Sequence, residues 1–215
     1  MKKIKAVLFD MDGVLTDSET VGVAMLRKAI QKQDIELNEE LLSKVMGATF
    51  ASSRPIYQHY HPTLDLEKLQ SDFLDLMCEE AKAGRMPLKP DVVSCLEYLK
   101  EKGIPMAVAS SSVRSTIDVF LGETGILHYF SAFVSGDMVT NSKPAPEIFE
   151  LAAKKFNINI ADCLVVEDSI NGIKAGRASG ATVLMVPDTI PFTENLAEYV
   201  DYVGETIEKL KEIVQ

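Results

Sequence analysis

The sequence predicts an α/β protein: a doubly wound parallel sheet with an α-helical cap domain inserted after its first strand. Three observations carry this. The apolar run at 4–9, IKAVLF, stops at a carboxylate and reads as a buried strand. Residues 18–84 then show helical periodicity and no convincing strand. From Pro90 onward helical and strand patterns alternate, the pattern of parallel strands joined by crossover helices.

The helical block opens with SETVGVAMLRKAIQKQ, where Val21, Met25 and Ala29 share one face. NEELLSKVMG starts on an Asn cap and stops at Gly47. DLEKLQSDFLDLMCEEAKAG carries Leu66, Leu69, Phe73 and Leu76 or Met77 at helical spacing and ends at Gly84. Beyond Pro90, DVVSCLEYLKEKG is a helix closed by Gly103, IPMAVAS a strand, STIDVFLGETG a helix and SAFVSG a short strand. APEIFELAAKKFN is a helix, DCLVVED a strand, SINGIKAGRASG a helix and ATVLMVP a strand. YVDYVG reads as an edge strand and ETIEKLKEIV as a last helix. The expected division is a core of residues 1–16 and 87–215 and a cap of residues 17–86, with hinges at 13–18 and 82–90. Asp17 is expected to cap the first cap helix.

A chain of 215 residues suits one domain carrying a smaller insertion, and it buries enough core to fold without disulfides. The net charge of −10 argues against nucleic acid and anionic membranes, which require a basic face. A small phosphorylated ligand needs only a local positive site. No apolar run is long enough to span a membrane, and the N-terminus lacks a signal-peptide pattern. Cys78, Cys95 and Cys163 are odd in number and unpaired in spacing, so reduced thiols and a cytoplasmic protein are expected. His59 and His61 read as surface residues ahead of a metal pair. A monomer is the default, because the cap already covers the crevice.

Ligands of an open α/β sheet bind beyond the carboxyl ends of its strands. There the sequence places Asp10 and Asp12, then Ser110, then Lys143 before a helix, then Glu167 and Asp168. Four carboxylates in one crevice remain ionised only if a cation shares it, and all-oxygen donors suit Mg²⁺. Ser110 and the amides that follow can orient an anion, and Lys143 adds fixed positive charge. Such a set describes phosphoryl chemistry. Asp10, rigid at its strand end, is the candidate nucleophile; Asp12, two residues on, is the candidate acid and base. Gly13 allows the chain to turn tightly beside the ligand. Ser111 and Ser112 either assist Ser110 or only cap the next helix.

These motifs resemble the haloacid dehalogenase superfamily. FDMDGVLTDS looks like its first motif, DxDGxxxDS; VASSS like its second; Lys143 in SKPAPEIF like its third; and VVEDSINGIKAG like its fourth. The four occur in the family's order between residue 6 and about residue 180. The nearest subgroup is that of the β-phosphoglucomutase-like phosphatases. The resemblance implies a Rossmann-like core and Asp10 as nucleophile, Asp12 as acid/base, and Ser110 and Lys143 as phosphate binders; Ser111 is carried beside Ser110 as a further candidate. It implies Mg²⁺ on Asp10, the Asp12 backbone carbonyl and Asp168, with Glu167 in or beside the coordination sphere. An acid at position 12 argues against dehalogenation, since a halide leaves without a proton.

Three departures bear on the mutase. Gly22 stands where β-phosphoglucomutase has a cap His, and Phe50 stands nearest its cap Arg, with Arg54 displaced. Val113 and Arg114 replace its Lys-Asn pair. Lys28, the nearest candidate for the Schiff-base lysine of a phosphonate-cleaving relative, lies on an exposed helical face. The expectation is therefore a Mg²⁺-dependent phosphatase for a small phosphorylated metabolite, a sugar phosphate in the first instance, working through an aspartyl-phosphate. The alternatives are a β-phosphoglucomutase-type phosphotransferase and a non-catalytic phosphate-binding protein. Arg54, His59, Lys82, Arg85 and Arg114 are carried as surface residues rather than substrate contacts.

Overall fold

β1 (Ala6–Phe9) is wholly buried and wholly apolar, as a strand covered on both faces must be. The computed structural model describes residues 3–35, 39–45 and 50–214. After β1 come α1 (Ser18–Gln31), α2 (Glu39–Val45), α3 (Phe50–Tyr60) and α4 (Leu66–Lys82). Then follow α5 (Val92–Glu101), β2 (Met106–Ala109), α6 (Arg114–Glu123), β3 (Ala132–Val134) and α7 (Glu147–Lys155). The chain closes with β4 (Cys163–Glu167), α8 (Ile170–Ser179), β5 (Thr182–Met185), β6 (Tyr202–Val203) and α9 (Leu210–Ile213).

The strands are parallel in the order β3-β2-β1-β4-β5-β6. The chain builds outward from β1 through β2 and β3, then restarts on the other side of β1 with β4. That reversal opens a crevice above the carboxyl ends of β1 and β4. The sheet faces follow from period two along each strand. Val7, Phe9, Met106 and Val108 pack with Ile117 and Leu121 of α6 on one side. Ala6, Leu8, Ala107 and Ala109 pack with Ile148, Phe149 and Ala152 of α7 on the other, where three alanines bring the helix close.

The helical insertion has its own core: Leu26, Ile30, Leu41, Tyr57 and Leu69 are buried together. Farther along α4, Met77 and Ala81 join the cluster that holds Ile117 and Leu121, so α4 rests on α6. The segments expected as hinges pair with each other. The Asp17 amide donates to the Pro87 carbonyl (2.8 Å) and the Lys89 amide to the Leu15 carbonyl (3.0 Å), around an antiparallel Thr16–Leu88 bridge.

Several local expectations change. The first strand begins at Ala6 rather than Ile4. α3 did not stand out as a helix in the sequence; Pro55 and a small polar stretch interrupt its apolar period. Residues 205–214 form a 3₁₀ turn at Ile207–Lys209 before the short α9, not one helix. Asp17 occupies the N-cap position of α1 but makes no capping bond; it accepts from the Thr20 hydroxyl (3.0 Å) and lies 3.7 Å from Lys89 Nζ. Asn38 and Gly47, the expected cap and stop of the second helix, lie outside the described residues. Cys95 and Cys163 are buried free thiols and Cys78 is half-buried. Among the described residues no helix is long and apolar enough to cross a membrane.

Candidate active site

β1 delivers Asp10 to the crevice. The Asp10 amide still donates to the Val166 carbonyl (3.0 Å), one step past the strand, so the residue keeps strand rigidity. Lys143 arrives from the segment before α7 with its side chain 6% exposed. Its ammonium donates to Asp10 Oδ1 (2.5 Å), Glu167 Oε1 (2.7 Å) and the Ala109 carbonyl (3.0 Å). An ammonium has three protons, and here each serves a different strand end: β1, β4 and β2.

Glu167 is fully buried. Its Oε2 accepts from the Asp168 amide (2.9 Å), the Ser169 amide (2.9 Å) and the Ser169 hydroxyl (3.0 Å). Ser169 in turn caps α8, its Oγ accepting from the Gly172 amide (3.0 Å). Gly172 makes this possible: a Cβ there would stand 1.7 Å from Glu167 Oε1. Both Glu167 oxygens therefore already have protein donors. Glu167 is expected in or beside the coordination sphere; its hydrogen bonds make it an anchor for Lys143 and the start of α8.

The carboxylate of Asp12 is held by two hydroxyls. Ser18, the first residue of α1, donates to Oδ1 (2.7 Å), and Ser112, in the loop after β2, donates to Oδ2 (3.2 Å). Burial pushes the Asp12 pKa up, and these hydroxyls pull against it. Ser110 is buried at the end of β2, and its Oγ accepts from the Ser112 amide (3.1 Å), which leaves its proton free to donate. Ser111 is exposed, and its carbonyl packs on Gly136, where a Cβ would come within 2.2 Å. The loop thus brings Ser110 and Ser112 to the crevice in different roles, while Ser111 sits at its rim.

Burial raises Asp10 to about 7; Lys143 pulls it down, and Glu167 and Asp12 push it up. Burial likewise disfavours the Lys143 ammonium, but Asp10 and Glu167 outweigh that and hold its pKa above the ordinary lysine value. Asp168 is raised to about 10, by burial first and then by Glu167 and Asp10. It faces Gly13, which has φ +78; a Cβ on residue 13 would lie 2.4 Å from Asp168 Oδ2. Asp188, after β5, faces the same point: its Oδ2 would lie 3.1 Å from that Cβ. Asp188 and its partner Lys89 are not among the expected site residues; Asp188 follows ATVLMVP directly, so its place at a strand's carboxyl end is the one signal, with no motif around it.

Among the described residues no three His, Cys, Asp or Glu side chains converge as a ready metal cage. His59 packs edge-on against Tyr60 instead. Of the expected metal ligands, Glu167 has both carboxylate oxygens bonded to protein donors, and Asp12, expected to offer its backbone carbonyl, has its carboxylate held by Ser18 and Ser112. Asp10, with Oδ1 on Lys143, and Asp168 offer the remaining carboxylates, both raised by burial. One or two carboxylates supplemented by other oxygen donors and water are the usual donor set of Mg²⁺, which seldom takes an all-protein cage. The donor chemistry fits that ion.

The sequence model of the haloacid dehalogenase-like hydrolases matches residues 4–180, and the chain belongs to that family. More particularly, it is 33% identical over 87% of its length to the bifunctional riboflavin kinase/FMN phosphatase of Arabidopsis thaliana. It spans about half the length of that relative, 50%. It is 31% identical to the phosphorylated carbohydrates phosphatase of Thermotoga maritima, over 82% of each chain. The solved structure of a haloacid dehalogenase-family hydrolase from Entamoeba histolytica superposes with a TM-score of 0.84 over 98% of both chains at 24% identity, a likeness of fold.

Proposed function

We propose that this chain is a Mg²⁺-dependent phosphatase that hydrolyses a small phosphorylated metabolite through an aspartyl-phosphate on Asp10. The observation that carries the reading is the Lys143 ammonium bonded at once to Asp10 and Glu167, with the half-buried Asp12 two residues along. Asp10 and Asp168, with the Asp12 carbonyl, would hold Mg²⁺. Once bound, the ion supplies positive charge that keeps these acids ionised and offsets the charge of the phosphoryl oxygens.

A carboxylate oxygen of Asp10 attacks phosphorus, and the bond from phosphorus to the leaving oxygen breaks. Asp12, whose pKa burial raises, gives its proton to that oxygen. The carboxylate so formed then takes a proton from water as the water oxygen attacks phosphorus. The bond to Asp10 breaks, phosphate departs, and both residues return to their starting forms. Lys143 and the Ser110 hydroxyl orient the phosphoryl oxygens. The helical insertion would serve as the lid that excludes bulk water and selects the leaving group.

The cap supports hydrolysis over phosphoryl transfer to a second sugar phosphate. A sugar monophosphate acceptor, which becomes a bisphosphate on transfer, needs a cap cation for the phosphate it already carries. Phe50 instead lies among Tyr57 and Phe73, with ring centroids at 6.1 and 5.5 Å, and Arg54 is paired with Glu67. Lys28 pairs with Glu80 at 3.8 Å on an exposed face, and Arg85 and Arg114 are likewise engaged, with Glu80 and Asp118. The Thermotoga maritima relative acts on phosphorylated carbohydrates, which makes sugar phosphates the first class to try.

The test is phosphate release from sugar phosphates, FMN, nucleotides and an aryl phosphate, with Mg²⁺, with EDTA, and with Asp10→Asn. Release that requires both Mg²⁺ and Asp10 is expected. Conversion of β-glucose 1-phosphate to glucose 6-phosphate without net release would favour the mutase. Ligand binding without either activity would favour a binding protein.

A further inference from the structure

We propose that Asp188 is a positioning residue for the cation of this site: anchored by Lys89, it places a negative charge beside Asp168 and tightens Mg²⁺ binding. This rests on the reading that Asp10 and Asp168 hold the ion.

Asp188 leaves β5 in the segment that borders the crevice. One oxygen, Oδ1, accepts from Lys89 Nζ at 2.6 Å. The other, Oδ2, is buried and has no hydrogen-bond partner. A buried carboxylate oxygen without a donor is costly to maintain, so its direction calls for a reason. It points to the gap at Gly13. A single Cβ on residue 13 would meet Asp168 Oδ2 at 2.4 Å and Asp188 Oδ2 at 3.1 Å. The two carboxyl groups therefore converge on one point beside Gly13, where charge on both would be repulsive without a cation.

Lys89 explains how Asp188 keeps that direction. Its ammonium binds Oδ1 and lies 3.7 Å from Asp17, so it offsets charge on the outer side of Asp188 and leaves the inner oxygen free. Lys89 also sits on the return connection from the helical insertion, paired with the outgoing one at Thr16–Leu88. The outer carboxylate of the cation site is thus fixed by the same segment that carries the insertion. Groups that orient a metal site from outside its ligands are commonly worth about 10–100-fold in affinity.

A mere staple between two loops would give a different result from a positioning residue. Mg²⁺ dissociation constants measured by calorimetry on the full chain separate them. Asp188→Asn keeps an acceptor for Lys89 and removes the charge; it is expected to weaken Mg²⁺ binding about tenfold. Asp17→Asn removes a charge from the same lysine away from Gly13, and it is expected to leave the constant within about twofold, well short of that effect. Asp168→Asn is expected to abolish binding. Should Asp188→Asn not fold, Asp188→Ser carries the same comparison. Mg²⁺ binding by Asp188→Asn equal to that of the unsubstituted chain, or an equal loss in Asp17→Asn, would overturn the proposal while leaving the phosphatase reading intact. No Mg²⁺ binding by the unsubstituted chain would overturn the metal reading and this inference with it.

Discussion

Lys143 Nζ lies 2.5 Å from Asp10 Oδ1, across 133 residues of sequence, and both side chains are nearly inaccessible to solvent. The contact joins the end of the first strand to a loop from the far half of the core. It makes the ammonium part of the fold as well as of the chemistry. Lys143→Met would leave Asp10 and Glu167 as neighbouring buried carboxylates with no compensating charge. Breaking a buried ion pair in this way costs about 3–5 kcal/mol. A lowered melting temperature together with loss of phosphate release is expected. Lys143→Arg is not expected to restore activity, because a planar fork cannot reach three strand ends as an ammonium does.

Asp12→Asn tests the proton donor. General acid–base groups contribute about 10²–10⁴-fold, and their weight depends on how much the leaving oxygen needs a proton. The loss in the phosphorylation step is expected to be large for a sugar phosphate and small for an aryl phosphate, whose leaving group departs as a stable anion. With the aryl substrate the phosphoenzyme should accumulate, since the base for its hydrolysis is missing. Rapid-mix kinetics on the two substrates read both effects. Equal losses on both would remove Asp12 from the role of acid.

Gly13→Ala tests the spacing of the first motif against the fourth. An L-residue at φ +78 carries a penalty of about 1–2 kcal/mol, and the new Cβ would also press on Asp168 Oδ2. Reduced thermal stability and weaker Mg²⁺ binding are expected together. Scanning calorimetry with and without Mg²⁺ measures both, and a stability change that leaves the Mg²⁺-induced shift intact would separate Gly13 from the cation site.

The raised carboxyl groups set a pH dependence of definite sign. Asp10, at about 7, and Asp168, at about 10, hold protons in the folded protein that the unfolded chain has already released. Without Mg²⁺, the stability they contribute is present at acid pH and falls as pH rises through the ordinary carboxylate range towards those values. Mg²⁺ needs the ionised forms, so its binding expels protons and tightens with rising pH. Titrations at about pH 6 and about pH 8, in two buffers of different ionisation enthalpy, should show tighter binding and less proton release at the higher value.

Much of this site was legible in the sequence because its residues terminate recognisable elements. Asp10 ends an apolar run, Ser110 ends another, and Lys143 and Asp168 stand where a strand or loop gives way to a helix. What could not be read was how each side chain is employed. Glu167 reads as one more acid for a metal, yet its oxygens face Lys143 and the start of α8. Ser18 reads as part of a capping sequence, yet its hydroxyl holds Asp12. Asp188 lies in a loop with no periodicity, and only the fold brings it opposite Gly13. The helical insertion was harder than the core: α3 contains Pro55 and gets its burial from neighbours far along the chain, such as Leu41 and Leu69 around Tyr57.

The central claim is covalent catalysis by Asp10. Mixing the protein with Mg²⁺ and an active phosphoester, quenching in acid within one turnover, and mapping the peptides by mass spectrometry tests it most directly. The account predicts one phosphoryl group on the peptide that carries Asp10, lost on further incubation before the quench and absent from Asp10→Asn. Turnover with no phosphorylated peptide at any time, or full activity in Asp10→Asn, would contradict it.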